Sequence, residues 1–485
     1  MIPTALTPIP TLDSAVPKAP ETAGMVRISE VIAALSYALD ITEGQPQGHA
    51  ARTCLIGMRI AQQIGLPSFD QSSLFYALLL KDLGCSSNAA KMCYLFGADD
   101  RTVKRDLKTV DWSKMSASMQ FVREQVAPQS TPLEKLLKLV SLALQGPKGP
   151  QKLVQTRCER GAHIARQLGF TEATATAIHQ LDEHWDGKGH PQGIKGTAIS
   201  PLARIMGLAQ TLEVFFSMQG LTAAIDIAQE RRGRWFEPEL VDAFLALRDD
   251  YDFWRMVCKP NPHLQVSVYE PADEIRTGDE AQLDRIAKSF ASVVDAKSPW
   301  TYKHSSGVAD IAVGIAEVLG HSPQKLSTIH RMGLLHDVGK LGVSNLVLDK
   351  PGKLDDTEFD ALKQHTHHTQ TILSRVECLQ DLGDLAASHH EKLNGRGYHR
   401  GIPSGELPVA ARLLAVADIF EALSAARPYR DGMPLEKIFS IMGGDAGTAI
   451  CAESYAALRT WLERREFENR VETQMQAIDK LVAEI

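Results

Sequence analysis

The sequence has no C-x-x-C pair, and its seven cysteines (Cys54, Cys85, Cys93, Cys158, Cys258, Cys378 and Cys451) are scattered and odd in number. That speaks against a disulfide framework or a thiolate zinc centre and for a reducing compartment. Positive charge is not in excess either: 52 Lys and Arg against 59 Asp and Glu leave −7. A general grip on a DNA or RNA duplex needs a basic face, so none is expected, although a small basic pocket for a phosphorylated ligand is compatible. No apolar run reaches the roughly 18 residues of a membrane helix, so no membrane association is expected. Pro3, Pro8, Pro10, Pro17 and Pro20 interrupt any signal-peptide core. Residues 1–25 therefore read as a flexible tail and the protein as cytoplasmic. Alternating runs of strand length are also missing.

What is present is a globular composition, 44% hydrophobic and 23% charged, in a chain long enough for about three ordinary domains or two large ones. It repeats itself. "GHAARTCLIGMRIAQQIG" (48–65) aligns with "KHSSGVADIAVGIAEVLG" (303–320), and "LFYALLLKDLG" (74–84) with "IHRMGLLHDVG" (329–339), both at an offset of 255. Further on, "LDEHWDGKGHPQGI" (181–194) aligns with "HHEKLNGRGYHRGI" (389–402), and "ARIMGLAQTLE" (203–213) with "ARLLAVADIFE" (411–421), at an offset of 208. Four matches in one order point to a tandem duplication, the first copy carrying 47 extra residues between its halves. The apolar spacing is helical throughout. Val308, Ile311, Ala312, Ile315, Ala316 and Leu319 trace one face of an amphipathic helix. The expected class is all-α, with domains at 26–260 and 284–485 joined by a linker at 261–283.

Ten of the 16 histidines fall between 304 and 399. Imidazoles crowded among carboxylates suit a nitrogen–oxygen metal site, and the candidates are His304, His336, Asp337, His365, His389, His390 and Asp418. Adjacent residues on a helix point about 100° apart. The pairs His336-Asp337 and His389-His390 therefore suit two ions side by side, or one ligand with a supporting neighbour, and Asp337 could bridge two ions. His321, His330, His367 and His368 read as ordinary surface histidines. The first copy supplies a control: at the candidate positions it has His49, Lys81, Asp82, Arg157, Leu181, Asp182 and Gln210. The framework persists there without most of the ligands, so packing alone does not require them.

"HDVGK" (336–340), "HHEKLNGRGYHRGI" (389–402) and "ADIFEALSAARPYR" (417–430) resemble the HD-GYP family of cyclic-dinucleotide phosphodiesterases, a branch of the HD phosphohydrolases, as do "DAKSPWTYKHS" (295–305) and "LDKPGKL" (348–354). The first copy looks like a degenerate relative, regulatory or dimer-forming. The resemblance implies that the seven candidates hold two divalent ions, iron or manganese. Trp300 stands where some members place a glutamate that recruits a third ion. It implies Asp337 and Lys340 as catalytic groups, and Lys340, Arg427 and Arg430 as contacts to the substrate. The loop of Asn394, Gly395, Gly397 and Tyr398 departs from the family pattern, Asn394 replacing an aspartate and His399 a proline. The implied activity is opening of cyclic di-GMP to a linear dinucleotide and onward to GMP. Two alternatives stand beside it: a preference for 3',3'-cyclic GMP-AMP, and a slow-turnover sensor acting through protein contacts of that loop. A homodimer and a signalling partner at the loop are the expected protein contacts, and 452–483 is an amphipathic helical segment for packing or self-association.

Overall fold

Each half is assembled from amphipathic helices whose buried stripes follow the spacing seen in the sequence. In the helix His304–Val318, Val308, Ile311, Ala312, Ile315 and Ala316 are buried. Polar side chains set the helix starts: Asp279 accepts from the Gln282 amide ahead of Glu280–Asp295, and Asp355 with Glu358 forms a capping box ahead of Asp356–Leu373. The computed structural model describes residues 25–112, 114–128, 130–144, 148–301, 303–398, 400–426 and 431–483. Nearly all of the expected tail, together with His399, Arg427 and Arg430, thus lies outside the described residues.

The order of elements in the amino-terminal half recurs in the carboxy-terminal half. Helices Ile28–Thr42, His49–Gln63, Ser68–Leu80, Lys148–Gln167, Glu172–His179 and Pro201–Gln219 have counterparts in Glu280–Asp295, His304–Val318, Pro323–Leu335, Asp356–Leu373, Gln380–Ala386 and Val409–Ser424. Particular contacts recur too. Asp40 accepts the amide hydrogens of Gly48 and Ala50, while Asp295 accepts from the amide and hydroxyl of Ser305. A Cβ on Gly84 would collide with the Arg157 carbonyl, and one on Gly339 with that of His365, so glycine lets two segments cross at the same place in each half. The residue before each leading histidine has a left-handed backbone: Gly48 at φ +84° and Lys303 at φ +59°.

Extra chain in the amino-terminal half forms the helices Ala89–Phe96, Asp100–Leu107, Met115–Gln125 and Pro132–Leu144. These close over a small core of their own that includes Phe96, Val103 and Phe121. Elsewhere one apolar core runs through both halves. The insertion also reaches across: the Asp100 carboxylate accepts from the Asn345 amide at 3.0 Å and lies 3.5 Å from buried Lys297.

The segment expected to be a linker is folded. Residues Pro262–Leu264 and Val266–Tyr269 form short 3-10 turns. Buried Glu270 then accepts from Arg27 at 2.6 Å, Ser29 at 2.7 Å and Tyr76 at 2.8 Å. Three scattered partners hold it there, and no local apolar pattern announces the burial. Among the described residues the strands are Val26–Arg27 and Thr277–Gly278, paired antiparallel. The class is all-α. The last helix, Ala452–Ala483, packs Leu458 into the core, and Trp461 lies against Gly314, where any Cβ would clash. No helix among the described residues is long and apolar enough to cross a membrane.

Candidate metal centre

Five elements bring the seven candidates together. His304 opens its helix, and His336 caps the end of Pro323–Leu335 with Asp337 directly after it. His365 sits mid-helix, His389 and His390 follow Gln380–Ala386, and Asp418 comes from Val409–Ser424. Because Asp337 has left the helix (φ −102°, ψ 10°), the divergence of neighbours on a helix does not govern how it points relative to His336. Thr369 locks this corner by donating to the His336 carbonyl at 2.9 Å and accepting from the Gly339 amide at 3.0 Å.

Three histidines are oriented in one way. Nδ1 of His336 contacts the Gly333 carbonyl at 2.7 Å, that of His365 the Leu362 carbonyl at 2.7 Å, and that of His389 the Ala386 carbonyl at 2.6 Å. A carbonyl accepts only, so Nδ1 carries the hydrogen and Nε2 offers its lone pair to the centre. Nε2 of His336 and Oδ1 of Asp337 are buried without a hydrogen-bond partner. Nε2 of His365 and of His389 face each other across 3.3 Å. Such a set of converging acceptors fits a cation.

The two oxygens of Asp337 divide the centre. Oδ2 is 3.2 Å from Nε2 of both His304 and His336, and the Asp418 Oδ1 is 3.3 Å from His304. Oδ1 is 3.5 Å from Nε2 of His365 and 3.7 Å from that of His389. Thus His304, His336 and Asp418 form one cluster, while His365, His389 and His390 form the other. Lys340 brings its ammonium onto Oδ2 of Asp337, at the edge of the first cluster.

Electrostatics agree with a cationic occupant. Burial pushes His365 down to about 3 and His390 to about 4, and drives His389 well below the usual imidazole range. These rings are therefore neutral and able to donate lone pairs. Burial acts the other way on Asp337, raising its pKa, but His336 and Lys340 outweigh it and hold the carboxyl well below the ordinary range. Asp418 is likewise lowered against the effect of burial, by hydrogen bonding to His304 and the neighbouring His390. For His304, burial is overcome by Asp337, Asp418 and Glu421, which together favour positive charge at that point.

Two carboxylates not anticipated from sequence support the site. Glu421 accepts from Nδ1 of His304, so that ring too turns Nε2 inward. Buried Glu391 accepts the amides of Arg400 at 3.1 Å and Ile402 at 3.2 Å, fixing the loop that follows His390. The repeated "E" three residues after Asp418 and after Gln210 was the available signal for Glu421. In the loop, Asn394 accepts from the Arg396 amide at 3.0 Å, Gly395 has φ +69°, and Gly397 packs where a Cβ would strike Glu391. Tyr398 lies over His390, ring centres 4.4 Å apart, and walls one side of the centre.

The corresponding place in the amino-terminal half is built differently. His49 Nδ1 meets Glu213, as His304 meets Glu421, but the Lys81 ammonium lies 2.9 Å from His49 Nε2 and contacts Asp82. Arg157 pairs with Asp182 where the carboxy-terminal half has His365 and His390. Side-chain cations thus neutralise the carboxylates there.

An HD domain family model matches residues 148–240 and 288–450. The 3'3'-cGAMP-specific phosphodiesterase 3 of Vibrio cholerae is 43% identical over 432 residues, covering 89% of this chain and 94% of the relative. A cyclic di-GMP phosphodiesterase of Thermotoga maritima is 36% identical over 170 residues, 35% of this chain and 46% of the relative. Among solved structures, a cyclic GMP-AMP specific phosphodiesterase of Vibrio cholerae matches with a TM-score of 0.64 and 38% identity, covering 91% of this chain and 98% of that one.

Proposed function

The chain belongs to the HD domain family, and on that premise we propose how its carboxy-terminal half performs its activity as a cyclic-dinucleotide phosphodiesterase. HD-domain phosphodiesterases are metal-dependent. The single observation that carries the reading is Asp337, one oxygen of which faces the cluster of His304, His336 and Asp418 while the other faces that of His365, His389 and His390. These seven residues would hold two divalent ions with Asp337 between them; iron and manganese both suit a donor set of imidazole and carboxylate. Bound there, such ions supply Lewis acidity toward the phosphodiester and lower the pKa of water.

The chain's own groups do the rest. Glu421 keeps the His304 proton on Nδ1, so that the ring is not free to turn its donor inward. Lys340, which contacts Asp337, places positive charge beside the reacting phosphate, where negative charge develops. Tyr398, tilted over the His390 ring, limits access of bulk water from the loop side. Arg427 and Arg430 are the proposed contacts for the remaining phosphate or a guanine edge, to which a planar guanidinium can bond twice.

On substrate, similarity across 94% of a 3'3'-cGAMP-specific relative moves the preference to the mixed 3',3'-cyclic GMP-AMP, ahead of the cyclic di-GMP first expected. The domain assignments 26–260 (regulatory or dimer-forming) and 284–485 (catalytic) rest on the recurring element order and on the loss of the ligand set from the first, which we read as a duplicated, degenerate copy.

The test is hydrolysis of both dinucleotides side by side by the full chain, reconstituted without oxygen with iron or with manganese, resolving linear products from mononucleotides. Faster turnover of 3',3'-cyclic GMP-AMP is expected, abolished in a His336→Ala, Asp337→Ala double variant. Full activity in that variant would refute the site. Tight binding of dinucleotide without turnover on either metal would make the protein a sensor.

A further inference from the structure

The stretch that carries Lys340 is pinned at one end by its own half and at the other by the opposite half. From Asp337 the chain makes a 3-10 run over Val338–Gly342 and then turns into the short helix Asn345–Leu348. At the metal end Thr369 holds the Gly339 amide. At the far end the fasteners come from the amino-terminal half. Arg101 donates a guanidinium N–H to the Gly342 carbonyl, and Asp100 accepts the Asn345 amide at 3.0 Å. Ile41 packs so closely beside Gly342 that a Cβ there would lie 2.9 Å from its side chain. Lys340 stands between these anchors. Its amide donates to the Asp337 carbonyl at 2.8 Å and its carbonyl accepts from Val343 at 3.0 Å, so a shift of Gly342 is passed to it through the 3-10 bonds.

One helix of the insertion grips both halves at equivalent points. Asp100 and Lys104 lie one turn apart on Asp100–Leu107. Toward the carboxy-terminal half, the Asp100 carboxylate lies 3.5 Å from Lys297 Nζ, and the Lys297 carbonyl accepts from the Asn345 side chain at 2.8 Å. Toward the amino-terminal half, Lys104 donates to the Cys85 carbonyl at 3.0 Å and to that of Thr42 at 3.4 Å. At the offset of 255 that relates the halves, Thr42 is the counterpart of Lys297 and Cys85 that of Lys340. Asp100, Lys104, Lys297 and Asn345 are all buried. A buried carboxylate with two ammonium groups carries a desolvation cost that apolar residues would not, so adhesion between the halves does not by itself account for them. Charge-assisted bonds add fixed direction, and here they are aimed at the segment beside the metal centre.

We propose that Arg101 and Asp100 are positioning residues for phosphodiester hydrolysis in the opposite half, acting through Lys340. They fix Gly342 and Asn345, and so hold the Lys340 ammonium where negative charge develops on the phosphate. The inference rests on the reading of the carboxy-terminal half as the phosphodiesterase centre. Neither residue touches substrate. When the far anchor is lost, Thr369 still locks the corner at His336 and Asp337, and the metal ligands stay in place while Lys340 gains freedom. An ammonium needed most in the transition state affects kcat more than KM.

Steady-state kinetics of the metal-loaded full chain test this, with the cyclic dinucleotide that the wild type hydrolyses faster. Arg101 is the better probe, because its side chain is 31% exposed and its loss leaves buried Asp100 and Lys297 paired. Arg101→Ala is expected to lower kcat by about tenfold or more, within what a misplacement of about 1 Å can cost, with KM changed less and bound metal as in the wild type. Arg101→Lys, which can still donate to the Gly342 carbonyl, is expected to recover most of the rate. In a Lys340→Met background Arg101→Ala should cost nothing further, since the group it acts through is gone. If Arg101→Ala fails to fold, Arg101→Met, which keeps the stem without the donor, is expected to show the same loss. Wild-type kinetics in the folded variant, a full further loss on top of Lys340→Met, or a fall in bound metal that matches the fall in rate would each overturn the positioning role alone. No turnover by the wild-type chain with either metal would instead bring down the phosphodiesterase reading, and this role with it.

Discussion

Nε2 of His365 and Nε2 of His389 face each other across 3.3 Å, although both rings already use Nδ1 to donate to a backbone carbonyl. Two lone pairs at that distance repel unless a cation lies between or beside them. Metal removal should therefore destabilise the fold. If the ions are present at about 100 times their dissociation constant, their loss costs roughly 2.7 kcal/mol, or about 5–10 °C in Tm for a domain of this size. Differential scanning calorimetry with and without chelator should show the drop and its reversal on adding manganese. An unchanged Tm would argue that the pair holds no ion.

Glu421 is predicted to act as a positioning residue through His304. Replacing it, as Glu421→Gln, keeps the shape but removes the charge that holds the Nδ1 proton. A loss of about 10–100-fold in metal affinity is expected, as for other carboxylates supporting ligand histidines. Metal titration should show this, and excess metal should restore part of the turnover, which a general folding defect would not allow.

Lys81 is predicted to stabilise the amino-terminal half by standing in for a cation. In a Lys81→Met variant, buried Asp82 keeps Lys108 at 3.5 Å but loses its direct partner. Breaking a buried pair in this way typically costs about 3–5 kcal/mol, and the lower end is expected here because Lys108 remains. Urea denaturation would measure it. A change under about 0.5 kcal/mol, the size of an ordinary surface substitution, would contradict the role.

Asp40 should give stability a distinctive pH dependence. Burial raises its carboxyl from 3.8 to about 7 despite the hydrogen bond from Ala50. The folded state therefore binds this proton more tightly than the unfolded chain does. Its contribution is fully present below about pH 4 and is lost as pH rises toward and through 7, a change of up to about 4 kcal/mol. Asp40→Asn should flatten the stability profile between pH 4 and 7, as followed by denaturant midpoints at several pH values. A profile with the same slope would exclude Asp40 as its source.

Much of the fold was legible because helix periodicity is local. The stripe from Val308 to Ala316 fixes which face is buried whatever packs against it. The seven metal candidates were legible because an imidazole-rich region stands out once the same framework is seen without it. Glu421 was less visible: a carboxylate one turn beyond Asp418 looks like any helical glutamate until His304, 117 positions away, comes to meet it. Glu270 was hidden in a proline-bearing stretch that reads as a linker, because its donors Arg27, Ser29 and Tyr76 are all distant in sequence.

By itself, then, the sequence determined the helical class, the recurring order of elements and the nitrogen–oxygen character of the candidate centre, all of which depend on residue type and short-range spacing. The tertiary structure decided which Asp337 oxygen faces which histidines, where Lys81 lies in the other half, and that Asp100 and Arg101 meet Asn345 and Gly342. Those relationships depend on how helices far apart in sequence cross, and on glycine contacts such as Gly339 against His365 that set how closely they approach. Side-chain spacing along one helix carries no record of either.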